Sequence, residues 1–120
     1  MAAGTKRARS SYTVVVKKSI LGAKIVNAQG EDLGEIEDLV IDTRDNRVAY
    51  AIVSFGGFLG MADKHFAIPW IALSFDARDK IAILNIDKDR LANAPGFDKD
   101  KWPDMTDIMW HRLVQNHYRL

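Results

Sequence analysis

The sequence predicts a mainly β fold, a small β-barrel of five or six short strands followed by a C-terminal α-helix. Three observations carry this. Short apolar stretches alternate with polar or glycine-bearing turns about every ten residues. Residues 47–55 are apolar on both faces of a strand, as in a sheet covered on both sides. From residue 105 the alternation gives way to apolar residues at helical spacing: Met105, Ile108, Met109 and Leu113, with Trp110 and Val114 beside them.

Each element has its own signal. Residues 1–11 are small, polar and basic and read as a leader; residues 13–17 read as a short strand or extended arm. Residues 24–27 are a strand candidate, followed by a turn over 28–32 in which Gly30 supplies a positive φ. Residues 33–42 form the next strand. Its apolar parity switches near Glu37 and Asp38, which predicts a bulge or sharp bend there. The polar run 43–47 closes a hairpin onto strand 47–55. Residues 64–68 form a strand ended by Pro69, which opens one helical turn over 69–73 and places Trp70 as a plug at the barrel mouth. Residues 76–79 make a turn into strand 80–86. Asp87 caps a short helix over 88–93 that stops before Pro95 and Gly96. Residues 97–103 read as a charged linker, and Asp104 as the cap of a helix over 105–117. The expected division is a basic leader 1–18, a barrel 19–104 and a helix 105–120 that packs on its own barrel or on a partner subunit.

Composition sets the function classes. The chain has 120 residues, 48% hydrophobic and 28% charged, enough for one domain with a core. It has no cysteine, which removes disulfides, thiolate metal sites and a cysteine nucleophile. The net charge of +1 conceals an asymmetry. Residues 1–18 carry five basic residues and no acid, whereas the remainder carries 12 basic and 16 acidic residues. An acidic body is a poor phosphate-backbone binder, so any nucleic-acid contact is expected through the basic tail. No run resembles a secretion signal or is long enough for a membrane span, so a soluble, cytoplasmic protein is expected.

The sequence offers few catalytic or ligand-binding candidates. The histidines stand at 65, 111 and 117, and no serine elbow accompanies them. Asp107 and His111 share a helix face, but two ligands do not hold a metal. Glu35 and Glu37 are same-face strand neighbours about 7 Å apart and read as solvated. The glycine-rich stretch 56–60 lacks the lysine and following helix of a phosphate loop. No catalytic, cofactor-binding or metal-ligating set is therefore expected. Two apolar features remain: Phe58, Leu59 and Met61 on the loop 56–62, and the helical stripe of Met105, Ile108, Met109, Trp110 and Leu113. These are the expected contact surfaces.

Residues 19–104 also resemble a known family. The runs ILGAKIVN (20–27), GEDLGEIEDLVID (30–42), RVAYAIVSFGGFLG (47–60), FAIPWIAL (66–73) and NAPGF (93–97), with Trp102 and Pro103 behind them, are similar in order and spacing to the PRC-barrel family. That resemblance implies a strongly bent PRC-type barrel. It also implies kinship with a domain found in the photosynthetic reaction-centre H subunit, in a ribosome-maturation factor, and in stand-alone bacterial and archaeal proteins. Such domains mostly bind macromolecules and share no catalytic set. The expected role is a non-enzymatic protein-binding adaptor without a cofactor, forming a twofold homodimer. The alternatives are an RNA- or ribosome-associated factor and a peripheral accessory of a membrane complex.

Overall fold

The computed structural model describes residues 12–55 and 64–119. The loop residues Phe58, Leu59 and Met61 and the basic residues Lys6, Arg7 and Arg9 lie outside the described residues. The fold is mainly β with a C-terminal helix, as the alternation predicts.

Among the described residues seven strands form one sheet: β1 (Lys24–Val26), β2 (Asp32–Asp42), β3 (Arg47–Ser54), β4 (Lys64–Pro69), β5 (Ser74–Asp76), β6 (Ile81–Ile83) and β7 (Gly96–Asp98). Their hydrogen-bonded order is β5–β6–β1–β2–β3–β4–β7. All pairs are antiparallel except β1 with β6. β5 and β7 do not pair with each other, so the ladder is open rather than closed. Two strands lie outside those predicted: β5, read only as the approach to the turn at 76–79, and β7, which lies where a charged linker was predicted. β7 is only Gly-Phe-Asp, with Phe97 alone buried. No alternation can be read from three residues, and its partner β4 lies about thirty positions earlier in the chain.

The bulge predicted in β2 is present. Ile36 pairs with Val53 and Asp38 with Ile52, leaving Glu37 as the extra residue. Gly34 lies just before it at φ 124°, where the β2 backbone passes against Ser54 and Phe55. The hairpin turn after β2 is built by Asp42, whose carboxylate accepts hydrogen bonds from the amides of Arg44 and Asp45. Asn27 is buried and fully bonded. Its Oδ1 accepts from the Gln29 and Glu31 amides, and its amide donates to Glu31 and to the carbonyl of Ile86.

The core is continuous. Ile25, Leu33, Ile36, Ile52, Phe66 and Ile68 are fully buried, and β3 is covered on both faces from Tyr50 to Val53, as its sequence predicted. Of the short strand or extended arm expected at 13–17, no strand forms: residues 13–15 run, with Val15 extended, into a π-helical turn, Val16–Ile20, with Val15 and Val16 exposed. Val14 to Val16 have strand propensity, but no neighbour offers them a ladder. Pro69 ends β4 and leads into a 3-10 turn, Trp70–Ala72. Trp70 is half-buried against Phe75, 6.1 Å between ring centroids, rather than plugging the core.

Two helices follow. α1 (Lys88–Ala92) is capped by Asp87, which accepts from the Arg90 amide at 2.7 Å, as predicted. α2 (Ile108–Tyr118) starts three residues later than predicted. Asp104 caps only a preceding turn, through the Thr106 amide and hydroxyl, and Asp107 is the true N-cap, accepting from the Met109 amide. Both aspartates carry a cap signal, so sequence could not choose between them. The C-terminal ends of α1 and α2 are clasped reciprocally. The Arg90 guanidinium donates to the His117 carbonyl at 2.7 Å, and His117 Nε2 donates to the Arg90 carbonyl at 2.8 Å.

Candidate interaction surface

The outer face of α2 holds three of the expected contact residues, Ile108, Met109 and Leu113. α2 docks on the sheet through Val114 and Tyr118, both buried, with Trp110 and His111 half-buried at the flanks. The apolar residues predicted as one stripe are thereby split. Trp110 turns inward, its ring edge-on to Tyr50 at 5.3 Å. Met105, in the turn before α2, is half-buried and packs against the core. Ile108, Met109 and Leu113 remain 63%, 63% and 56% exposed, while Val114 is 0%. A stripe too wide for one contact leaves a remainder uncovered, and the sequence could not say which side.

Tyr50 and His111 anchor the docked side. Their rings stack at 5.4 Å. His111 Nε2 lies 2.6 Å from the Met105 carbonyl. A carbonyl only accepts, so this nitrogen carries the proton. In the neutral ring Nδ1 is then the acceptor, and the Tyr50 hydroxyl donates to it at 2.7 Å. Burial pushes the Tyr50 phenol above its ordinary pKa, while a Gln115 side-chain hydrogen bond pulls the other way. The chain of bonds ties β3, the turn at Met105 and α2 together. Both nitrogens of His111 are spent within the fold, which leaves neither as a base for substrate. Asp107 is spent as a helix cap, so the two residues weighed as a metal pair are each otherwise engaged. Among the described residues no group of three His, Asp or Glu is placed to hold a metal ion.

Two clefts flank His111 and share Asp42, Ala49 and His111 in their walls, one of about 150 Å³ and one of about 250 Å³. Ile71 rims the first at 81% exposure and Ile41 the second at 52%. Neither isoleucine stood out in sequence. Ile41 follows a second register shift in the ladder, between Val40 and Ile41. Ile71 stands on the single helical turn after Pro69. Glu37, which read as solvated, is exposed and accepts the Ser54 hydroxyl at 2.5 Å.

The PRC-barrel domain profile matches residues 17–91, more than half of the chain. The chain belongs to the PRC-barrel domain family. A search of curated proteins returned no match. The PRC-barrel match ends within α1, so β7 and α2, the latter with the exposed Ile108, Met109 and Leu113, lie outside the matched stretch. Among the described residues no helix of this PRC-barrel protein is long and apolar enough to cross a membrane.

Proposed function

We propose that this PRC-barrel protein is a non-enzymatic binding module, an adaptor that docks another protein on the outer face of α2. The observation that carries the reading is the split of the helix. One face is already seated on the sheet, yet Ile108, Met109 and Leu113 stay more than half exposed on the other. Exposed large apolar side chains grouped on one rigid element mark a contact surface. The family supports a binding role, and the engagement of both His111 nitrogens supports a structural rather than catalytic use of the one histidine in the clefts.

The test is capture from native lysate on immobilised wild-type chain and on the Leu113→Asp variant, each with and without nuclease. Proteins held by wild type, lost with the variant and indifferent to nuclease support the adaptor. Equal recovery on both baits refutes the helix surface. Recovery that vanishes with nuclease transfers the reading to the RNA- or ribosome-associated alternative.

A further inference from the structure

We propose that the occupant of the α2 face is the α2 helix of a second copy of this chain, packed antiparallel across a twofold axis. This rests on the reading of α2 as a docking surface and names its partner. Two features of the helix point to a copy of itself, and a third sets how strongly the copies hold.

The first is the apolar ridge. Met109 and Leu113 are one turn apart, so they form a single ridge on the exposed face. An antiparallel copy sets Met109 against the second copy's Leu113, and Leu113 against its Met109. That exchange is the self-complementarity that a twofold interface requires.

The second is charge. The helix is acidic before and at its start, with Asp104 and Asp107 exposed, and basic at its C-cap, with Arg119 exposed; Arg112, mid-helix and one residue from the Met109–Leu113 midpoint, lies beside its own copy in this packing and opposes it. Arg119 forms no ion pair among the described residues. Antiparallel packing brings the acidic end of each helix to the basic end of the other. Parallel packing superposes like charges. The helix dipoles act in the same sense, since antiparallel dipoles attract.

The third is extent. Ile108 widens the ridge, and Ile71 stands exposed on the cleft beside Gln115. These four exposed apolar side chains are far fewer than the about 20–30 residues a side of a standard stable interface. The expected dimer is therefore reversible, with a dissociation constant in the micromolar range.

The test uses the full chain in sedimentation velocity from low-micromolar to near-millimolar concentration. The expected result is a concentration-dependent rise from the 13.5 kDa monomer towards twice that mass. Leu113→Asp enters a twofold interface twice and is expected to weaken it by about a hundredfold, because both charges would be buried unpaired. Circular dichroism confirms that the variant still folds.

Orientation is read by cross-linking, which the absence of native cysteine makes specific. Met109→Cys and Leu113→Cys chains, differently tagged, are mixed and oxidised. Antiparallel packing gives mainly the mixed cross-link, and parallel packing gives each variant bonded to itself. Predominance of the same-variant product overturns the proposal, as does a monomer at every concentration. If the chain is monomeric but lysate proteins still depend on Leu113, the adaptor stands and only the second copy is lost.

Discussion

Gly34→Ala tests the crossing of β2 over β3, on which the sheet geometry depends. Gly34 sits at φ 124°, a conformation that side chains of L-residues rarely adopt. A β-carbon there would clash with the Ser54 carbonyl oxygen and would lie 3.0 Å from its carbon and 3.3 Å from Phe55 Cα. All three atoms are backbone, so no side chain can swing aside. Ser54 pairs with Glu35 on one side and His65 on the other, so moving it disturbs two ladders. Backbone strain of this kind is worth about 1–3 kcal/mol, and overpacking a closed site about 1–3 kcal/mol more. The expected loss is therefore about 4 kcal/mol, a large part of the roughly 5–15 kcal/mol that holds a small domain folded. Urea unfolding followed by circular dichroism measures it. Gly30→Ala is the control, because Gly30 has φ 80° but nothing within 4 Å of a β-carbon. It carries strain without clash and should lose about 1 kcal/mol. Equal effects at the two glycines, or a loss below about 1 kcal/mol at Gly34, would refute the close crossing.

Other substitutions probe the helix and its anchor. Tyr50→Phe leaves His111 Nδ1 and Gln115 without their partner and should destabilise by about 1–2 kcal/mol in urea unfolding; an unchanged midpoint refutes the anchoring role. Asp107→Ala should cost about 1 kcal/mol by the same measurement, whereas Asp104→Ala, which touches only the preceding turn, should cost less; the reverse order would return the cap to Asp104. The Tyr118 hydroxyl is buried with no hydrogen-bond partner among the described residues, so Tyr118→Phe should leave stability at neutral pH unchanged or raise it by about 1 kcal/mol. Burial pushes the Tyr118 phenol up, against a smaller opposing effect of the Arg90 charge. The folded state thus holds the proton longer than the unfolded state does. Stability is unaffected below the ordinary phenol pKa of 10.0 and falls as pH rises above it. The Phe variant should lose less stability than wild type across that alkaline range, and parallel curves would remove Tyr118 as the source.

Much of this was legible locally. The β2 bulge shows because the period of a strand is two, and an extra residue switches the apolar parity at Glu37. The Asp42 turn and the Asp87 cap show because each is built from a side chain and amides two or three residues away. Tyr50 to Val53 show as a doubly covered strand because both parities are apolar. The candidate site was legible only as a set of apolar residues: Met105, Ile108, Met109, Trp110 and Leu113 all belong to the α2 region, but their division into docked and exposed halves did not show. Tyr50 and His111 stand 61 residues apart, and no local pattern announces their bond.

Sequence by itself determined the class of this protein, its family, its hairpin turns, and the existence of a C-terminal helix with more apolar surface than one contact needs. The family follows from the resemblance of whole runs in order and spacing; the rest follows from composition and from periodicities that span a few residues, which every local segment carries regardless of its neighbours. Only the tertiary structure decided that β7 joins the edge of β4, that the ladder stays open between β5 and β7, and that Val114 rather than Leu113 meets the sheet. Those outcomes depend on which distant surfaces are brought together. Burial is a property of the pair of surfaces in contact, so a helix written with apolar residues on two sides acquires an inside and an outside only when the sheet is there to cover one of them.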